Sequence, residues 1–89
     1  MGRVLYVVRV MPADDQVDLE GLLDAIRDSA PEGVIVRSAR KESVAFGLES
    51  LLIAFSLPER EGVTDQLEDF LRSLEGVGEV TVEALSREG

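Results

Sequence analysis

The apolar residues of this chain follow two alternating periods. From Arg3 to Met11 (RVLYVVRVM), Val4, Tyr6, Val8 and Val10 fall on one side, and Arg3, Leu5, Val7, Arg9 and Met11 on the other. Period-two spacing rich in β-branched residues predicts a strand with one wholly apolar face and one mixed face, ended by Pro12. A polar loop follows, and the period then becomes helical: Leu19, Leu22, Leu23, Ile26 and Ala30, with Asp18 in the N-cap place and Pro31-Glu32-Gly33 as the stop. The spacing predicts a first helix over 19–30. Alternation returns from Val34 to Ala45, with Val34, Val36 and Ser38 on one side and Ile35, Arg37 and Ala39 on the other. Its polar end, Arg40-Lys41-Glu42-Ser43, suits a sheet edge or a loop.

Phe46-Gly47 breaks that run, and Leu48–Leu57 predicts a third strand that aligns Leu51, Ile53, Phe55 and Leu57 before Pro58 closes it. A charged turn around Gly62 leads to Thr64, which fits an N-cap, with Asp65 suited to the positive end of the helix dipole. Leu67, Phe70, Leu71 and Leu74 are spaced for a buried helical stripe that ends at Gly76. Glu79–Leu85 alternates once more, with Val80, Val82 and Ala84 opposite Thr81 and Glu83. The order is β-α-β-β-α-β: two split β-α-β units with right-handed crossovers. The expected fold is a ferredoxin-like α+β sandwich, a four-stranded antiparallel sheet with both helices on one face, as one domain over residues 1–89. The second sheet face then has no helix to cover it. It is either a partly apolar surface or a contact site.

Composition narrows the chemistry. The 89 residues contain no Cys and no His, which excludes a disulfide framework, thiolate and imidazole metal ligands, and Ser-His or Cys-His catalysis. Paired acids such as Asp14-Asp15, Glu59 with Glu61, and Asp65 with Glu68 and Asp69 lack the loop spacing of a hard-cation site and fit a solvated surface. Ser43 has only Lys41 near it as a base, and the eight glycines form no phosphate-cradling motif. No catalytic residue, metal or cofactor is expected, and the chain is expected to bind a partner rather than act as an enzyme.

Charge bears on the partner. Nine basic residues against 18 acidic give a net charge of −9, concentrated in the second half. The excess either solubilises the chain or steers it toward a basic protein. It opposes phosphate, and Tyr6, Phe46, Phe55 and Phe70 form no base-stacking platform beside Lys and Arg, so direct nucleic-acid binding is not expected. The opening Met1-Gly2-Arg3 has no leader pattern, and no apolar run approaches the roughly 18 residues of a membrane span. A cytoplasmic protein without a membrane partner is the expectation.

Two features stand out from the pattern. Phe46, between Ala45 and Gly47, puts a large aromatic at a hairpin tip where polar residues usually sit. It either folds back over the end of the core or serves as a wedge for a partner's apolar pocket. Arg87 stands near the terminus of an acidic chain. It is either part of a frayed tail or a positive group held out on the last strand.

Along its whole length the chain resembles the archaeal elongation factor 1-beta family, nucleotide-exchange factors for the translational GTPase elongation factor 1-alpha. The likeness rests on Val10-Met11-Pro12, Val17-Asp18-Leu19, Pro31-Glu32-Gly33, Val44-Ala45-Phe46-Gly47-Leu48 with Leu51, Glu61-Gly62 with Thr64, and Glu75-Gly76-Val77 with Val80. The resemblance implies the same ferredoxin-like fold and the exchange of GDP for GTP, regenerating the form that delivers aminoacyl-tRNA to the ribosome. It implies that Phe46, with Gly47 and Leu48, docks in a pocket of the GTPase, and that Arg87 reaches toward its magnesium and phosphate site. Such a factor would be a monomer when free. The alternative from another class is a small regulatory or oligomerisation domain that binds a small molecule, or itself, through the open sheet face.

Overall fold

A computed structural model describes residues 2–88; Met1 and Gly89, the ends of the expected domain, lie outside it. Strand β1 spans Arg3–Pro12, helix α1 Leu19–Ser29, β2 Ile35–Ser43, β3 Glu49–Pro58, α2 Val63–Ser73 and β4 Val77–Glu88. The strands form one antiparallel sheet in the order β2-β3-β1-β4. This is the expected ferredoxin-like sandwich. Helix α1 lies against β2 and β3, and α2 against β3 and β4.

The core is where the two periods meet. Tyr6, Val8 and Val10 from β1 and Leu51, Ile53, Phe55 and Leu57 from β3 are buried beneath Leu19, Leu22 and Ile26 of α1 and Val63, Leu67 and Leu71 of α2. Phe70, expected in the core, is half-buried at its margin. The Tyr6 hydroxyl donates to Glu68 at 2.6 Å, so the one polar atom of that stripe is satisfied.

The helix ends follow local chemistry, with one correction. Asp18 caps α1 as expected: its carboxylate accepts from the Glu20 N–H at 3.1 Å. Helix α1 stops one residue early, because Ala30 precedes Pro31 and is held extended at ψ 143°. Thr64 is not the cap of α2. The helix begins at Val63, and Gly62 takes the N-cap place at φ +81°, a left-handed conformation that glycine adopts without strain. That backbone turn buries Val63 in the first turn, so the start is set by packing rather than by a hydroxyl.

Both edge strands carry an irregularity that periodicity alone does not reveal. The β2–β3 register shifts between Val36 and Ser38, so Arg37 is the extra residue and the phase flips. Val36 and Ala39 therefore pack toward the core, and Ser38, expected beside Val36, is exposed. The β1–β4 register shifts between Val7 and Val8, where Glu83 is the extra residue. Val82 and Leu85 then share the helix side opposite Val8 and Tyr6, whereas Ala84 pairs with Val7 on the open face. Strand β4 also runs beyond the expected 79–85 at both ends, which carries Arg87 into the sheet opposite Val4.

Candidate functional site: the hairpin tip and the last strand

The β2–β3 hairpin ends at the Ser43–Glu49 pair. The Val44 N–H donates to the Leu48 carbonyl at 2.8 Å, and Ala45–Gly47 make a single tight turn inside that closure. Phe46 sits at φ 65°, ψ 28°, and Gly47 follows at φ 75°. A left-handed conformation costs a side chain as bulky as phenylalanine about 1–2 kcal/mol. The ring is also 99% exposed, so no packing among the described residues repays that cost. Of the two readings open at the tip, folding back over the core is excluded. Leu48 is half-buried at the foot of the hairpin, beside a shallow cleft of about 210 Å³ that Pro12, Leu19 and Lys41 also line.

Arg87 belongs to β4 and is not a frayed tail. Its guanidinium donates to Glu59 Oε1 at 2.9 Å and is otherwise 81% exposed. The adjacent Glu88 points through the other face of the sheet, where it accepts from Ser56 Oγ at 2.6 Å and pairs with Arg37 at 2.7 Å. Glu88 therefore does not pair with Arg87, although it is next in sequence. The serine hydrogen bond, and then Arg37, hold the Glu88 carboxyl below its usual range.

The two expected contact sites are not brought together. Arg87 lies opposite Val4 and Leu57, whereas the hairpin tip lies beyond Glu49, at the other end of β3. Glu49 and Leu57 are eight residue steps apart on one strand, about 26 Å at the usual rise. One partner pocket is too small to receive both groups.

The open sheet face carries a feature that the sequence reading missed. Arg9 of β1 reaches each of the other three strands, donating to Ser50 Oγ at 2.8 Å and Glu42 at 3.0 Å, with Glu83 at 3.4 Å. The hydrogen bond from Arg9 holds the Glu42 carboxyl below its usual range. At the far end Arg3 donates to Ser56 Oγ at 2.7 Å and to the Gly33 carbonyl at 2.6 Å. A signal existed: Arg3 and Arg9 are six residues apart on β1, as are Ser50 and Ser56 on its antiparallel neighbour. Between the two clusters Val7, Leu52 and Ala54 form a short apolar strip. Among the described residues no acidic side chains gather in a set fit to hold a metal ion, and no helix is long and apolar enough to cross a membrane.

Residues 5–87 match the family described as the EF-1 guanine nucleotide exchange domain. The chain belongs to this family. The match takes in both helices, the hairpin tip and the last strand as far as Arg87, so the exchange domain is nearly the whole chain. Among its curated relatives is an Elongation factor 1-beta of Staphylothermus marinus, 41% identical over 98% of each chain. Another, from Aeropyrum pernix, is 40% identical over 98% of each. A third, from Natronomonas pharaonis, is 38% identical over 98% of this chain and 99% of its own. The exchange domain is thus a guanine nucleotide exchange factor of translation elongation, and the resemblance seen in the sequence holds.

Proposed function

We propose that the exchange domain drives GDP from elongation factor 1-alpha by binding that GTPase most tightly when its nucleotide site is empty. It performs no covalent chemistry and works as a free monomer in the cytoplasm. One observation carries this reading: a fully exposed phenylalanine held in a strained conformation at a hairpin tip. Burying such a ring in a partner's pocket is worth roughly 2–3 kcal/mol. If that pocket is open only in the nucleotide-free state, linkage weakens nucleotide binding by the same factor. A 10³-fold faster release needs only about 4 kcal/mol of differential binding. Phe46 with Gly47 and Leu48 supplies part of this. Arg87, a second contact at the other end of the sheet, supplies the rest by competing with magnesium at the phosphate site.

Light scattering at micromolar concentration is expected to give a mass near 9.7 kDa. The decisive experiment is release of fluorescent GDP from elongation factor 1-alpha with and without the exchange domain. Release is expected to accelerate with the native chain and to fall at least about tenfold with Phe46→Ala, as loss of a central anchor implies. Equal rates for the two chains would remove the wedge.

A further inference from the structure

We propose that Glu59 is a positioning residue that restrains Arg87, so that part of the exchange domain's pull on the nucleotide site is withheld until Arg87 lets go of it. This rests on the reading of Arg87 given above. Glu59 is the first residue after β3, and its backbone N–H donates to the Gly2 carbonyl at 3.2 Å. Its carboxylate lies directly over Gly2, in space that a Cβ at that residue would otherwise take. From there Oε1 takes the Arg87 N–H at 2.9 Å. The Glu59 side chain is one-third exposed and that of Arg87 four-fifths, so the carboxylate is the more enclosed partner and the guanidinium the freer one.

The electrostatic consequence is direct. A guanidinium 2.9 Å from a carboxylate presents little net field to an approaching phosphate. To reach a phosphate or a magnesium position, Arg87 must exchange one anion for another. The next residue, Glu88, is tied to Ser56 and Arg37 on the opposite face and takes no part. Exposed pairs of this kind are weak, so the restraint is slight and easily exchanged.

Glu59→Gln keeps an oxygen to accept the hydrogen bond and removes only the charge. It is expected to raise the saturating GDP-release rate roughly two- to fivefold, the range open to an exposed ion pair, with the half-saturating concentration nearly unchanged. In an Arg87→Ala background the same substitution is expected to do nothing. Asp28→Asn, which changes net charge equally on the exposed side of α1, is expected to leave the rate as it is. If Arg87→Ala slows release and Glu59→Gln does not quicken it, the restraint is disproved while the role of Arg87 stands. A gain that persists without Arg87, or that Asp28→Asn reproduces, disproves it also. If Arg87→Ala leaves release unchanged, the role of Arg87 itself is wrong, and the restraint falls with it.

Discussion

Phe46 and Tyr6 show how differently one chain treats its aromatic residues. The Tyr6 ring is buried, and its hydroxyl reaches Glu68. Tyr6→Phe deletes that bond and leaves the Glu68 carboxylate one partner short, so chemical denaturation should show a loss of about 1 kcal/mol. Phe46 is the reverse, a ring in water on a backbone conformation that suits glycine. Phe46→Gly therefore separates folding from function. It relieves the left-handed strain and should raise unfolding stability by up to about 1 kcal/mol, while exchange falls as it does for Phe46→Ala. A variant less stable than the native chain would show that the ring is held by contacts within the fold. The identity of Phe46 was visible in the sequence because an aromatic beside Gly47 breaks the polarity of a turn. Its exposure was not, since a pattern of residue types does not say which way a loop side chain points.

At the scale of the element, strand and helix phases were readable wherever one face is continuously buried, as in β1, β3 and both helix stripes. The reading failed where a single residue changes the phase. Arg37 in β2 and Glu83 in β4 are bulges, and their sequence neighbourhoods look like uninterrupted alternation. It failed again at the start of α2, where Thr64 is a good capping residue in the wrong place. Thermal unfolding can test this last point. Thr64→Ala should be neutral to within roughly 0.5 kcal/mol. Gly62→Ala should cost about 1–2 kcal/mol, because alanine at φ +81° is strained. Asp18→Ala, which removes a true cap, should cost about 1 kcal/mol.

For the whole molecule, stability should follow pH at both ends of the scale. Glu42 and Glu88 have carboxyls lowered from the ordinary 4.5 by their hydrogen bonds to Arg9 and to Ser56. Their contribution is complete above 4.5 and is lost as pH falls through their lower folded values. Burial and the Glu68 hydrogen bond raise the Tyr6 hydroxyl above 10.0, so its contribution is complete below 10.0 and fades as pH rises further. Melting temperature measured from pH 3 to pH 11 should show a plateau with a fall on each side; Tyr6→Phe should remove the alkaline fall, and Ser56→Ala should soften the acid one. The two bulges also matter at this scale. Each rim of the sheet is kinked midway, at Arg37 on one side and Glu83 on the other, and a kinked edge breaks the regular ladder that a visiting strand would pair with. A small translation factor stored at high concentration therefore has no straight border along which copies can zip into fibrils, although its longest strand lies at a rim and carries Val82 and Leu85 exposed.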